Sequence, residues 1–69
     1  MKISARDVIK GKVKKVFHGA VNSEITIALP GGAEIVSVIT KSSAKSLRLA
    51  KGKGAYAIIK ATNVMVAVD

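Results

Sequence analysis

The run Glu24-Ile-Thr-Ile-Ala-Leu29 alternates residue by residue, is cut by Pro30-Gly31-Gly32, and is followed by a second run, Glu34–Thr40, with the same period. A strand puts Ile25, Ile27 and Leu29 on one face and Glu24, Thr26 and Ala28 on the other; a helix would scatter them around its circumference. The Pro-Gly-Gly break reads as a hairpin turn. In the second run Val36 and Val38 alternate with Ile35, Ser37 and Ile39, so both faces are largely apolar. An antiparallel sheet commonly turns one face to water. A second apolar face is therefore expected to meet another subunit.

The rest of the chain is read around this hairpin. Lys10–Phe17 carries Val13 and Val16 among Lys12, Lys14 and Lys15, and is the first strand. Residues 41–49 lose the two-residue period: Ala44 and Leu47 fall at helical spacing, with Lys41 and Lys45 outside. Thr40, Ser42 and Ser43 are candidate N-caps, which predicts a short helix over 42–47. Lys51-Gly52-Lys53-Gly54 is a turn. Ala55–Lys60 and Val64–Val68 are two further β-rich runs joined by Ala61-Thr62-Asn63. The expectation is an all-β fold with a small α element, a five-stranded OB-fold-like barrel with one short helix between strands 3 and 4. No linker or internal repeat divides the chain, so residues 1–69 are expected to form one domain.

Composition narrows the function classes. At 69 residues there is room for one core, and the absence of cysteine removes disulfides and thiolate metal sites. Hydrophobic residues are 49% of the chain, yet a domain this small buries only about 60% of its unfolded surface. Self-association is the expected outlet. The longest uncharged stretch, Ile25–Ala33, is too short to span a bilayer, and Met1 is followed by polar and charged residues. A soluble protein without a signal peptide, in the cytoplasm, is expected. Catalysis lacks material: His18 is the one imidazole, read as an exposed turn residue, and Glu24 and Glu34 lie on separate strands. Gly31-Gly32 and Gly52-Lys53-Gly54 lack phosphate-loop spacing. The expectation is no enzyme, no catalytic cofactor and no resident metal.

Twelve Lys and Arg against four acids give a net charge of +8, which points to an anionic partner. A basic OB-fold suggests single-stranded nucleic acid, and this is the alternative reading. It is disfavoured because such sites stack bases on aromatic rings and the chain has only Phe17 and Tyr56. A small anion is the other option. Ser4-Ala5-Arg6 offers a hydroxyl, amides and a guanidinium; Thr40, Ser42 and Ser43 bring hydroxyls to the start of the helix; Lys60 ends a strand. Each has a plain alternative: Ser4 and Thr40 as caps, Arg6 and Lys60 as solvated charges.

Three separated stretches, MKISARDVIKGKV at the start, VITKSSAKSLRLAKGK in the middle and AYAIIKATNVMVAV at the end, resemble the molbindins. These are small cytoplasmic molybdate-binding proteins built from one TOBE-type, OB-like domain. The resemblance covers nearly the whole chain and includes no helix-turn-helix or P-loop segment. It implies binding of molybdate, and of tungstate, which has nearly the same size and charge. It implies a homo-oligomer, a hexamer arranged as a trimer of dimers, with oxyanions between subunits. One class of site would use Ser4, Ala5, Arg6, Lys60 and Ala61, completed by Thr40 and Ser43, some from a neighbouring subunit. A second class, near the threefold axis, would use backbone around Gly19, Ala20 and Val21. The chain departs from the family pattern at three places. Asp7 stands where Asn is usual and is expected to point away or pair with a lysine. Arg48 replaces a glycine in the turn after the helix, and Gly54 replaces an acid.

Overall fold

The computed structural model describes all of residues 1–69. Its strands are β1 (Asp7–His18), β2 (Asn22–Ala28), β3 (Glu34–Thr40) and β4 (Gly54–Ile59); helix α1 (Lys41–Ser46) lies between β3 and β4, and a 3₁₀ turn spans Ala61–Asn63. The sheet order is β3-β2-β1-β4, with every neighbouring pair antiparallel. The mainly β architecture with one short helix after the third strand is the expected one. The count of strands within the chain is four, not five. Val64–Val68 has the composition of a strand but finds no partner, and Val66 is 89% exposed. A strand exists through its ladder, so residue types alone do not make one.

β1 holds the sheet together by changing partners. Its first half pairs with β4, from Asp7 opposite Ile59 to Lys12 opposite Gly54; its second half pairs with β2, from Lys12 opposite Ala28 to His18 opposite Ser23. Where the partners change, Gly11 lies so close to β2 that a Cβ would stand 2.4 Å from the Ala28 carbonyl oxygen. A bulge follows. Val13 pairs with Ile27 and Lys15 with Thr26, which leaves Lys14 as the extra residue. This explains why Val13 and Val16, three apart, share a face: Val13 lies opposite Ile27 and Val16 opposite Ile25. Lys14 turns outward to an ion pair with Glu34.

The core is small. Val13, Ile25, Ile27 and Ala57 from the sheet close on Ala44 of α1, with Val16, Leu29, Ile35, Ile39, Leu49 and Ala55 around them. The helix begins one residue earlier than expected, capped by Thr40 Oγ1, which accepts from the Ser43 amide at 3.1 Å. It ends in a Schellman motif. The Leu49 amide donates to the Ala44 carbonyl at 3.1 Å and the Arg48 amide to Lys45 at 3.0 Å, with Arg48 at φ 54°. Glycine would adopt that left-handed conformation without the Cβ strain that arginine meets there. Lys53 Nζ donates to the Leu47 carbonyl at 2.6 Å, covering the helix end.

This core leaves much uncovered. The accessible surface is 5618 Å², against about 4,100 Å² for a compact chain of this mass. The radius of gyration is 12.8 Å, against about 11 Å for 69 residues. The outward face of β3 is apolar as expected, with Val36 56% and Val38 65% exposed. No helix is long and apolar enough to cross a membrane.

Candidate functional site

The residues singled out from the sequence gather in two clusters. The first stands where β1 begins and β4 ends. Asp7 opposite Ile59 is the last rung of that ladder, so Arg6 and Lys60 leave the sheet side by side just beyond it. Ser4 and Ala5 precede Arg6, and Ala61 opens the 3₁₀ turn after Lys60. Arg6 and Lys60 are exposed and enter no ion pair; the chain's one ion pair is Lys14–Glu34. Asp7 is likewise exposed and pairs with no lysine. The cluster therefore presents a guanidinium, an ammonium, a hydroxyl and the amides of a short irregular segment, all able to donate.

The second cluster stands at the other end of β1. Thr40 pairs with Asn22 at the last rung between β2 and β3. The hairpin loop Gly19–Val21 is held against this point: the Lys41 amide donates to the Val21 carbonyl at 2.8 Å, and the Gly19 amide to Asn22 at 2.8 Å. Thr40 Oγ1 also donates to Ser43 Oγ at 2.7 Å. Thr40's proton is thus spent within the cluster, while Ser43's hydroxyl proton stays available. Ser42 is exposed and makes no side-chain hydrogen bond.

The structure therefore divides the expected first-class site. It joins Ser4, Ala5 and Arg6 with Lys60 and Ala61, and it places Thr40 and Ser43 with Gly19, Ala20 and Val21 instead. Between the clusters runs β1 from Asp7 to His18, on the order of 35 Å of strand at 3.3 Å per residue, in a molecule whose longest extent is 36 Å. One tetrahedral anion, a few ångströms across, cannot touch both clusters of the same chain.

Sequence reasoning missed one arrangement. His18 is the last residue of β1, opposite Ser23, and its Nδ1 lies 2.6 Å from Ser23 Oγ. Ser23 is the one buried polar residue, 1% exposed. The signal was the hairpin itself, which makes His18 and Ser23 cross-strand neighbours once its rungs are counted. No three or more of His, Cys, Asp and Glu come together to hold a metal ion.

A donor-rich, carboxylate-poor arrangement of this kind suits an oxyanion, and known proteins carry the same fold. Residues 3–66 match the TOBE domain. The chain belongs to the TOBE-domain family. It is 49% identical over 69 residues to the probable molybdenum-pterin-binding protein of Haemophilus influenzae, with the whole of both chains covered. Its structure matches MopII from Clostridium pasteurianum with a TM-score of 0.92 and 36% identity, covering 97% of this chain and 100% of MopII. It also matches ModG, described as a cytoplasmic molybdate-binding protein and solved with molybdate bound. There the TM-score is 0.90 and the identity 48%, with 94% of this chain and 46% of ModG covered. The TOBE match and the end-to-end likeness to MopII bear out the resemblance to the molbindins.

Proposed function

We propose that this TOBE-domain chain binds molybdate reversibly and non-covalently, and performs no chemistry on it. The supporting observation is the pair of donor clusters, Ser4, Ala5, Arg6, Lys60 and Ala61 at one end of β1 with Asp7 as the carboxylate beside them, and Thr40 and Ser43 at the other. A fully deprotonated tetrahedral dianion accepts at every oxygen, so donors alone can surround it. Hydrogen phosphate carries an O–H that such a site leaves without an acceptor. Tungstate matches molybdate in size and charge and is expected to bind as well. ModG, with molybdate bound, supports the reading by likeness. Nothing among the relatives supports the nucleic-acid alternative.

The same reading makes the protein a homo-oligomer. Because the clusters stand at opposite ends of β1, a site using both takes one from each of two copies. The uncovered surface supports this. Between the free edges of β3 and β4 lies a hollow of about 340 Å³ lined by Ile35, Val36, Tyr56 and Ile58 among others, and the unpaired run Val64–Val68 of a second copy has the residue types to fill it. A hexamer built as a trimer of dimers provides both contacts and brings the Gly19–Val21 hairpins together as a second class of site. A role in molybdenum storage or homeostasis in the cytoplasm belongs to the same reading, supported by the likeness to ModG. Isothermal titration tests the core claim: heat with molybdate and tungstate is expected, and none with either at micromolar protein rejects it.

A further inference from the structure

Ser23 is buried to 1% exposure, and its hydroxyl has one side-chain partner, Nδ1 of His18 at 2.6 Å. A buried hydroxyl proton without an acceptor is left with its desolvation uncompensated. Ser23 therefore donates and Nδ1 accepts, which leaves the ring hydrogen on Nε2. His18 is exposed, so Nε2–H is an available donor on a ring held in place from below. It stands beside the Gly19–Val21 loop, which is itself tied to the chain at Lys41. On the neighbouring strand Glu24 lies opposite Phe17 and not His18, so it belongs to the other face of the sheet. Across the sheet on its own face stand Ser23 and then Ile39, while Asn22 and Thr40 lie on the other face with Glu24, so no carboxylate claims the donor.

We infer that His18 is an oxyanion-binding residue: its Nε2–H completes the second class of site at the hairpin, with Ser23 as the positioning residue that selects the tautomer. This rests on the proposed molybdate function and adds a side-chain donor to a site otherwise made of backbone. A preset ring loses little freedom on binding, so its hydrogen bond is not offset by ordering cost. The ligand is a tetrahedral dianion, held at the hairpin by the imidazole and the amides of Ala20 and Val21, since the Gly19 amide is already bonded to Asn22.

Nitrogen-15 NMR of the whole wild-type protein at pH 8, titrated with molybdate, tests this directly. The free protein is expected to show the Nε2–H tautomer, and the His18 Nε2 resonance is expected to move as molybdate saturates. A His18 signal that stays still while calorimetry on the same sample shows molybdate binding overturns the inference and leaves the function standing. No heat at all removes both. Variants separate contact from support. His18→Leu alone strands the Ser23 hydroxyl, so it is paired with Ser23→Ala to restore an apolar contact. The double variant is expected to fold and to bind fewer molybdate ions per chain by native mass spectrometry, whereas His18→Gln, which keeps a donor near Nε2, is expected to retain most of them. Unchanged stoichiometry in the folded double variant refutes the contact.

Discussion

Gly11→Ala probes the point where β1 changes partners. The new Cβ would lie 2.4 Å from the Ala28 carbonyl oxygen and 2.9 Å from Ile27 Cγ2. The first of these is backbone, so no rotamer change relieves it, and β2 must retreat by about 1 Å. Overpacking of this kind costs about 1–3 kcal/mol. Loosening the adjacent Lys12–Ala28 rung adds about 1 kcal/mol. Restricting the unfolded chain returns about 0.5–1 kcal/mol. The net loss is about 2 kcal/mol, or roughly 10–15 °C in Tm for a domain of this size. Gly54→Ala is the control. Gly54 sits on β4 with no atom within 4 Å of where its methyl would stand and no left-handed backbone, so the substitution is expected to be neutral or slightly stabilising. Circular dichroism melts at one fixed protein concentration give the comparison, since assembly makes Tm depend on concentration. If the two variants melt within a few degrees of each other, the close approach of β1 and β2 does not govern stability.

Three further outcomes are expected. Arg6→Ala should weaken molybdate binding by about 1.5–3 kcal/mol, the worth of a charged hydrogen bond, or about 10- to 150-fold in Kd; calorimetry measures this, and the molybdate-induced rise in Tm should shrink with it. Arg48→Gly relieves a left-handed residue at φ 54°; the relief of about 1–2 kcal/mol less the flexibility cost of about 0.5–1 kcal/mol leaves a gain of about 0.5–1 kcal/mol in urea unfolding. Val66→Asp alters a side chain that is 89% exposed in the single chain, so a lone subunit would not register it; analytical ultracentrifugation should instead show a smaller species, and an unchanged one argues against assembly through Val64–Val68.

Short-range chemistry was legible in the sequence by itself. The alternation of Ile25, Ile27 and Leu29, the Pro30-Gly31-Gly32 break, the cap at Thr40 and the short helix are decided by neighbours within a few residues, and β2, β3 and α1 fall where those signals put them. The apolar outer face of β3 was legible for the same reason. Arg6 and Lys60 as available cations were legible as charges in a chain with few acids to neutralise them. Only the tertiary structure decided matters that depend on what lies opposite. Val64–Val68 has strand chemistry and no strand, because pairing is a property of two segments. Val13 and Val16 share a face only because a bulge absorbs Lys14, and Gly11 is required only because β2 passes over it. His18 changes from a turn residue to an oriented donor because the hairpin register brings Ser23 beneath it. Most consequential for the site, the pairing of β1 sets Arg6 and Lys60 at one end and Thr40 and Ser43 at the other. A sequence records which donors exist; the ladder, formed by contacts many residues apart, decides which of them can reach the same anion.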